Sequence, residues 1–560
     1  METRSQFAVK FLPSLADFAF LMPIAFLFGR MDGVKTLLSD CDTGWHIRTG
    51  EWILAHGWVP ARDIFSFSKP NDPWYAWEWL SDILFAGLNA LGGLQTVVLF
   101  TILLLSLTFS ALFFLVRRKA NPLVAICVTM LAAAASSIHW LARPHLFTLL
   151  FLILFYAALE QVREGRSHFR GVPILAALPV ITVLWTNLHG GFFVGTLMVF
   201  AYAGGELLRL LFSPLNGQRE AVQLQARNYF LSGLACLAAS LVNPYTYHLH
   251  VHMAQYLRDP WNSQHIMEFL SPNFHHPTAI FFEAMLVMAV VTAAVNLRQG
   301  RYTEMLLIVV WAHGGLLAAR NIPIFMIAAA PPVGAAIQQW LNNLPRRHVA
   351  QWLRAAAVRF NRVAAETAET DALPRLHLVS MLGVLLVAAV IYAPHPPKKF
   401  RAEFDPNTYP AAALATLRSD PGAHVFTHDE WGDYLIYRLY PVGGKVFVDG
   451  RSDFYGDDFE DKYVDVLNVR YGWEKTLARF GVDTILMPPS SPLTGALKES
   501  SRWRVVYDDG IALVFRSTSR TVGLQVSAAN HGGGEGRDRE VTKTQTPTGD
   551  PAITLTKPKT

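Results

Sequence analysis

Residues 94–116 read LQTVVLFTILLLSLTFSALFFLV, and this stretch decides the class of fold. It ends a longer run, 83–116, that contains no Asp, Glu, Lys or Arg, and residues 171–205 form a second such run. About 20 mostly apolar residues are enough for a helix to cross a lipid bilayer. The sequence therefore predicts a multi-pass α-helical membrane protein, and it excludes a soluble enzyme, a disordered protein and a fibrous repeat.

The composition agrees with this class of fold. Of the 560 residues, 52% are hydrophobic and only 16% are charged, with a mean hydropathy of +0.26. A soluble domain has about 25% charged residues. The net charge of +5 does not indicate nucleic-acid binding, because the Lys and Arg residues lie in short connections between apolar runs. We expect the lipid bilayer as a partner and no nucleic acid.

Eleven apolar windows predict about eleven transmembrane helices. Each must be helical, because lipid offers no partner for a bare backbone N–H or C=O group. We interpret residues 78–91 as an amphipathic helix on the membrane surface, because an odd number of spans then places most Lys and Arg residues on the cytoplasmic side. The windows lie near residues 11–29, 94–116, 122–139, 145–162, 172–188, 191–212, 228–243, 278–297, 304–319, 321–341 and 376–394.

This threading predicts a bacterial-type inner (plasma) membrane protein with a cytoplasmic N-terminus and a periplasmic or extracellular C-terminal domain. The first window has no small-residue cleavage site, so we expect it to remain as a signal anchor. The membrane module covers 1–394 with a first outer loop at 30–93, and a linker covers 395–403. Residues 404–518 are expected to form an α/β domain, followed by a disordered tail at 519–560.

The C-terminal domain shows alternating strand and helix patterns, which are typical of a small layered α/β fold. The predicted strands are 423–427, 445–449, 482–487, 503–507 and 511–515, and the predicted helices are 431–440, 459–480 and a short one before 503.

Uncommon polar residues gather on the outer side of the membrane in this topology. A charged or polar group at membrane depth is costly unless it is paired, so each is a candidate functional residue. The set comprises Asp40, Asp42, His46, Asp63 and Glu78 in the first outer loop, and Arg143, His145, Asn187, His189 and Arg320 in later outer connections.

The acidic pair Asp40 and Asp42 follows the first span directly. A carboxylate held at the membrane surface can accept a proton from a hydroxyl group within hydrogen-bond reach. The alternative is a helix cap for the residues that follow. Arg143 is the one fully charged residue between Lys119 and Glu160, and a buried Arg must face a carboxylate or a phosphate. An interfacial anchor is the alternative for Arg143.

Other candidates also have two readings. Asp63 follows Pro60 and could belong to a turn, whereas Gly190 and Gly191 beside His189 permit a close approach or a broken helix that lines a cavity. His248 and His252 could share a helix face, but no carboxylate or Cys completes a known ligand spacing. We therefore predict no metal site, and the use of a divalent cation stays open.

Three segments of the first outer loop are similar to segments of a known family. They are Asp42-Thr-Gly-Trp45-His46-Ile-Arg48-Thr-Gly50, Pro60-Ala-Arg-Asp63-Ile-Phe-Ser66 and Trp77-Glu78-Trp79-Leu80. This loop resembles that of membrane glycosyltransferases with the GT-C fold, which include protein O-mannosyltransferases, oligosaccharyltransferase catalytic subunits and lipid A aminoarabinose transferases. The resemblance implies an outer-face cavity, a polyprenyl-phosphate-linked sugar donor and an acidic base. That base would be Asp42, with Asp40 as the close competitor.

A second likeness lies in the C-terminal domain. His428-Asp-Glu-Trp431-Gly-Asp433-Tyr-Leu435 is placed like the Trp-Trp-Asp-Tyr-Gly acceptor motif of oligosaccharyltransferases. Here the order is Trp-Gly-Asp-Tyr without the paired tryptophans, so we assign Asp433 no role in acceptor binding.

The expected function is sugar transfer from a polyprenyl-phosphate donor to an unidentified acceptor outside the cytoplasm. Arg143, His145, His189 and Arg320 would stabilise the phosphate, while His46, Asp63, Glu78 and Asn187 would complete the substrate site. A lipid-linked glycan flippase and a noncatalytic envelope scaffold are the alternatives. A transporter is expected to show inverted repeats and midplane helix breaks, whereas the polar residues here cluster at one face.

Overall fold

The computed structural model of the chain describes residues 9–215 and 217–519. Of the tail predicted at 519–560, every residue except Ser519 lies outside the described residues.

The first 391 residues are mostly helical where they are described, and residues 57–78 form a long irregular stretch between two helices. A short antiparallel hairpin is formed by β1 (His168–Phe169) and β2 (Val172–Pro173). The helices are α1 (Leu15–Gly29), α2 (Val34–Leu37), α3 (Asp42–His56), α4 (Trp79–Arg117), α5 (Pro122–Ser136), α6 (His145–Arg163), α7 (Ile174–Leu188), α8 (Phe192–Phe212), α9 (Arg219–Ala239), α10 (Tyr247–Arg258), α11 (Asn262–His265), α12 (Ala279–Arg298), α13 (Tyr302–Leu317), α14 (Ile322–Asn343), α15 (Gln351–Asp371) and α16 (Leu378–Ile391).

Six helices of the described chain are long and apolar enough to cross a membrane: α4, α5 with its following turn, α6, α8, α12, and α14 with its flanking turns. Four further apolar helices are shorter, namely α1, α7, α13 and α16. Helix α9 has a suitable length but is less apolar. Each of the eleven predicted spans coincides with one of these helices, and the number that crosses the bilayer stays a prediction.

Helix α4 is divided by a sharp kink. Gly92 and Gly93 have non-helical backbone angles, and Gly93 has φ of 69°, a conformation that favours glycine. The part before the kink corresponds to the surface helix predicted at 78–91, and the part after it corresponds to the predicted span 94–116. Two glycines therefore separate a helix that carries Glu78 at its start from a long apolar helix.

Helix α14 lies at the centre of the bundle. The side chains of residues 325–330 are fully buried, and three of these residues are consecutive alanines, Ala328 to Ala330. Small residues let neighbouring helices approach closely where no hydrophobic force acts between them. This helix packs against α4, α5, α6, α12 and α13.

The C-terminal part contains a four-stranded sheet with helices on it. The strand order is β3-β4-β6-β5, where β3 pairs with β4 in parallel and the other pairs are antiparallel. The elements are α17 (Leu414–Arg418), β3 (Val425–Phe426), α18 (Asp429–Leu439), α19 (Ser452–Tyr455), α20 (Asp457–Leu467), α21 (Trp473–Arg479), β4 (Thr484–Met487), α22 (Pro492–Glu499), β5 (Trp503–Asp508) and β6 (Leu513–Ser517).

Two predicted elements of this part are wrong in detail. Residues 445–449 form no regular strand, because Val446 alone bridges Val425 on one side and Ser66 on the other. The helix predicted at 459–480 is two helices, α20 and α21. Val469 has φ of 56° and Gly472 has φ of 89° between them, and an α-helix cannot continue through such angles.

The bridge through Val446 also joins the first outer loop to the C-terminal sheet. The N–H of Phe67 donates to the carbonyl of Val446 at 3.0 Å, and the N–H of Val446 donates to the carbonyl of Phe65 at 3.0 Å. The two ends of the chain therefore share backbone pairing. The loop at 30–93 and the C-terminal domain are thus joined by backbone hydrogen bonds at one end of the helical bundle.

Candidate active site

A cavity of about 870 Å³ lies where one end of the helical bundle meets the loop at 30–93 and the C-terminal domain. Asp42, Arg143, His189 and Arg320, which come from four separate segments, all line it. His145 and Glu78 line it as well. The structure therefore brings together six of the ten residues that the sequence singled out.

Asp42 is the first residue of α3, and its Oδ2 lies 2.7 Å from Nη2 of Arg143. The N-cap residue of this helix is Cys41, whose side chain makes no capping hydrogen bond. Instead, the N–H of Asp42 donates to Oδ1 of Asp40 at 2.8 Å. Burial raises the pKa of the Asp42 carboxyl, while the nearby guanidinium of Arg143 opposes that shift. The Asp42 side chain is thus held at the cavity by Arg143.

Asp40 lies behind Arg143 and does not line the cavity. Its Oδ2 is 2.8 Å from Nη1 of Arg143, so the two carboxylates hold different nitrogens of one guanidinium. Such a fork geometry fixes the plane of an Arg side chain. Asp40 is therefore placed to orient Arg143, whereas Asp42 is placed to meet a substrate.

Glu268 connects the two arginines and was not among the predicted site residues. Its carboxylate lies 3.1 Å from Nη1 of Arg320 and 3.8 Å from Nη1 of Arg143. Burial opposes its ionisation, but Arg320 and Arg143 lower the pKa of Glu268 to about 2. The sequence showed only an acidic residue in a long outer loop, and no motif set Glu268 apart.

His189 occupies the short turn between α7 and α8. Its Nδ1 accepts hydrogen bonds from the hydroxyl of Thr148 at 2.7 Å and from the N–H of Gly191 at 2.9 Å. Nε2 must therefore carry the ring proton, and it lies 3.3 Å from Oε1 of Glu78. An added Cβ at Gly191 would collide with Thr148, so this turn needs glycine.

The His189 ring is neutral at ordinary pH. Burial, Arg320 and Arg143 lower its pKa to about 3. The hydroxyl of Thr148 accepts a hydrogen bond from Nε1 of Trp185 at 3.0 Å, so its own proton is available for the hydrogen bond to His189. His189 can thus donate a hydrogen bond into the cavity wall without bringing a charge.

Four predicted residues do not line the cavity. His46 is buried against Asp82, with 2.6 Å between Nδ1 and Oδ1, and Asp40 lies behind Arg143. Asp63 is buried in an ion pair with Arg451. Asn187 accepts a hydrogen bond from Nε1 of Trp79 and donates to two backbone carbonyls. These contacts give His46, Asp63 and Asn187 a supporting position behind the cavity wall.

The C-terminal domain supplies part of the wall through Gly450, Arg451 and Asp453. Oδ2 of Asp453 lies 3.0 Å from Nε2 of His252 in α10, whose ring stacks on Tyr75 with centroids 4.4 Å apart. This segment directly follows the strand predicted at 445–449, but no sequence motif indicated that the segment reaches the cavity.

The remaining walls are of two kinds. One wall is aromatic. The other wall is aliphatic and is formed by residues of α6, α8, α13 and α14. Aromatic residues of the wall are Trp45, Trp74, Tyr75, Trp77, Tyr256 and Phe269, and aliphatic residues include Leu149, Val194, Leu197, Val310, Leu317 and Ile324. The cavity therefore combines three carboxyl groups, three guanidiniums, stacking surfaces and an apolar side.

The residues of the site do not form a metal-binding set. In the described parts of the chain, no group of three or more His, Cys, Asp or Glu side chains is arranged to hold a metal ion. Asp40 and Asp42 face the guanidinium of Arg143 instead. We derive no step through a cation.

No protein-family model and no curated protein sequence matches the chain. Its fold is similar to solved structures of the Archaeoglobus fulgidus oligosaccharyltransferase. The apo form has a TM-score of 0.51 at 10% identity, covering 84% of this chain and 69% of that one. A structure tethered to an acceptor peptide with the NVT sequon has a TM-score of 0.54 at 9% identity and covers 87% of this chain and 69% of that one. A complex with Zn and sulfate has a TM-score of 0.51 at 11% identity and covers 85% of this chain and 68% of that one.

These likenesses concern the fold. They confirm the resemblance to the GT-C fold that the first outer loop indicated. Together with the six long apolar helices, they identify the chain as an integral membrane protein.

Proposed function

We propose that this protein is a membrane glycosyltransferase that moves a sugar from a polyprenyl-phosphate-linked donor to an acceptor on the extracytoplasmic face. The observation that carries the proposal is the convergence of Asp42, Arg143, His189 and Arg320 on one cavity with an aromatic and an apolar wall. The shared GT-C fold supports sugar transfer as the reaction class.

The leaving group of such a donor is a lipid phosphate, which departs readily once its charge is stabilised. Arg143 and Arg320 provide positioned positive charge, and His189 stands in the same wall as a neutral donor. The apolar side of the cavity, which includes Val194 and Ile324, suits the first isoprene units of the lipid. The aromatic side suits the face of a sugar ring.

Asp42 would act as the base toward the acceptor hydroxyl, giving inversion at the sugar carbon. In the structure its Oδ2 is occupied by Arg143 at 2.7 Å. A donor phosphate competes for the same guanidinium, so donor binding would release Oδ2 of Asp42 for the acceptor. This order of events ties deprotonation of the acceptor to the presence of the donor.

The proposed topology has eleven spans, a cytoplasmic N-terminus and a C-terminal domain outside the cytoplasm, in a bacterial-type inner membrane. It is supported by the placement of Asp42, Arg143, His189 and Arg320 at one end of the bundle, next to the C-terminal domain. The residues 1–394 would form the transferase module and residues 404–518 a domain that closes the cavity.

The test is release of polyprenyl phosphate from a synthetic polyprenyl-phosphate sugar by purified protein in vesicles, where water takes the sugar in place of the unidentified acceptor. We expect turnover by the wild type, and loss of about 10²-fold or more in Asp42→Asn with donor affinity retained, because a base contributes that much. Asp405→Asn, whose carboxyl pairs with Lys35 away from the cavity, is the matched control. Donor movement across the vesicle without release, equal in both variants, would indicate a flippase and overturn the proposal.

A further inference from the structure

A second carboxyl group faces Asp42 from the C-terminal domain. Asp433 lies in α18, and Gly450 lies next to both carboxyl groups. A Cβ added to Gly450 would lie 2.7 Å from Oδ1 of Asp42 and 2.7 Å from Oδ2 of Asp433. Both residues are buried, and each carboxyl group acts on the pKa of the other. Two ionised carboxylates packed closely away from water repel each other, so a shared proton stabilises such a pair.

The partners of each oxygen indicate where the proton resides. Oδ2 of Asp42 is bound to Nη2 of Arg143, which favours an ionised Asp42. Oδ1 of Asp433 accepts the N–H of Gly450 at 3.0 Å, and no Lys or Arg side chain of the described residues forms an ion pair with Asp433. This leaves Oδ2 of Asp433 as the atom that carries the proton toward Oδ1 of Asp42.

Building on the proposed role of Asp42 as base, we propose that Asp433 is a positioning residue that stays protonated and donates a hydrogen bond from Oδ2 to Oδ1 of Asp42. The C-terminal domain then contributes directly to the reactive carboxylate. One oxygen of Asp42 is fixed by Asp433, and the other is the oxygen that exchanges Arg143 for the acceptor hydroxyl.

The surroundings make the pair sensitive to pH. Burial, Asp42 and Asp449 raise the pKa of Asp433. When Asp433 loses its proton at high pH, two negative charges stand side by side and the hydrogen bond to Asp42 is lost. The charged and titratable groups that face the pair are Arg143, Asp40 and Glu268 around Asp42, and Asp449, Asp40 and Cys41 around Asp433.

The first test compares Asp433→Asn with Asp433→Leu. Asn keeps an N–H donor for Asp42 but has no proton to lose, so we expect near-wild-type kcat and a loss of the alkaline decline in the pH profile. Leu has a similar volume and no donor, so kcat should fall about tenfold to 10²-fold with KM for the donor unchanged. Equal losses in both variants, or an unchanged pH profile in Asp433→Asn, would overturn the proposal.

A second test does not depend on activity. The infrared spectrum of the wild type minus that of Asp433→Asn at neutral pH should contain a carboxylic-acid C=O band. Asp405→Asn is the control, because its bond to Lys35 lowers the pKa of Asp405 and keeps it ionised, so no such band is expected. Absence of the Asp433 band would refute the protonated pair even in a fully active enzyme.

The two proposals can fail separately. A band from Asp433 in a protein that releases no sugar would refute the transferase and leave the pair intact. Gly450→Ala adds a wedge between the carboxyls and should lower kcat like Asp433→Leu, whereas Gly422→Ala, which has open space around it, should not. Full activity of a folded Gly450→Ala would count against the pair.

Discussion

Arg451 in the C-terminal domain and Asp63 in the first outer loop form a buried ion pair of 2.8 Å, although 388 residues separate them in the chain. Asp449 binds the same guanidinium at 2.7 Å, and the hydroxyl of Tyr455 donates to Asp449 at 2.7 Å. This network docks the segment that carries Gly450 and Asp453 against the cavity. It also explains why Asp63, a candidate substrate residue, has no free oxygen facing the cavity.

Replacing Arg451 should destabilise the protein strongly. Arg451→Leu leaves Asp63 and Asp449 buried without a counter-charge, and breaking a buried pair in this way costs about 3–5 kcal/mol. The free energy of unfolding, followed by chemical denaturation in detergent, is the measurement. The control is Arg470→Leu, because Arg470 is 64% exposed and its pair with Asp465 should contribute about 0–1 kcal/mol. Equal losses in the two variants would contradict the docking role.

Arg143→Ala should weaken donor binding more than it weakens folding. A hydrogen bond to a charged group contributes about 1.5–3 kcal/mol, so affinity for polyprenyl phosphate should fall about tenfold to 10²-fold. Titration of the purified protein with polyprenyl phosphate measures this. Arg118→Ala removes a guanidinium paired with Glu164 away from the cavity, and its affinity should match the wild type. An unchanged affinity in Arg143→Ala would remove Arg143 from the headgroup site.

Donor binding should weaken as pH rises through about 8. Burial, with Asp453, raises the pKa of Glu78 to about 8, so this carboxyl is neutral at pH 7 and becomes negative above 8. The donor phosphate is a diester with a single ionisation, which is complete far below this pH. The new charge therefore repels the donor, and affinity measured on either side of pH 8 should fall. Glu78→Gln should abolish the decline, and a persisting decline would assign it to another group.

Asn187→Ala should affect folding and leave donor affinity unchanged. Its amide bonds Trp79 and the carbonyls of Val183 and Val242, and removal leaves buried groups without partners at a cost of about 1–3 kcal/mol. The unfolding free energy and the polyprenyl phosphate affinity should be measured together. A large loss of affinity in a stable Asn187→Ala protein would restore Asn187 as a substrate residue.

The helical framework could be predicted from sequence because lipid imposes one backbone solution on any long apolar run. The charge pattern also favoured a separate helix at 78–91 before the span at 94–116, and the structure places the division between them at Gly92 and Gly93. The C-terminal domain was harder. Val446 is shared between Val425 and Ser66, a long-range pairing that no local pattern contains, and the left-handed Val469 broke a helix that the sequence pattern favoured.

The candidate site was predictable where a residue was out of place in its surroundings. Arg143 in an uncharged run and His189 beside two glycines gave such a signal, and both line the cavity. Glu268 gave none, because acidic residues are ordinary in polar loops, and the motif likeness around Asp433 did not indicate that this residue faces Asp42. Their importance comes from the partners that the fold supplies: Arg320 for Glu268 and Asp42 for Asp433.

In the sequence, the cavity wall begins at Asp42 and ends at Asp453, so its members are synthesised over about three-quarters of the chain. A polypeptide that stops before Gly450 can contain all the helices of residues 1–391 and still lack the segment that completes the cavity wall. Closure of the cavity therefore depends on synthesis of the chain well past its last long apolar helix.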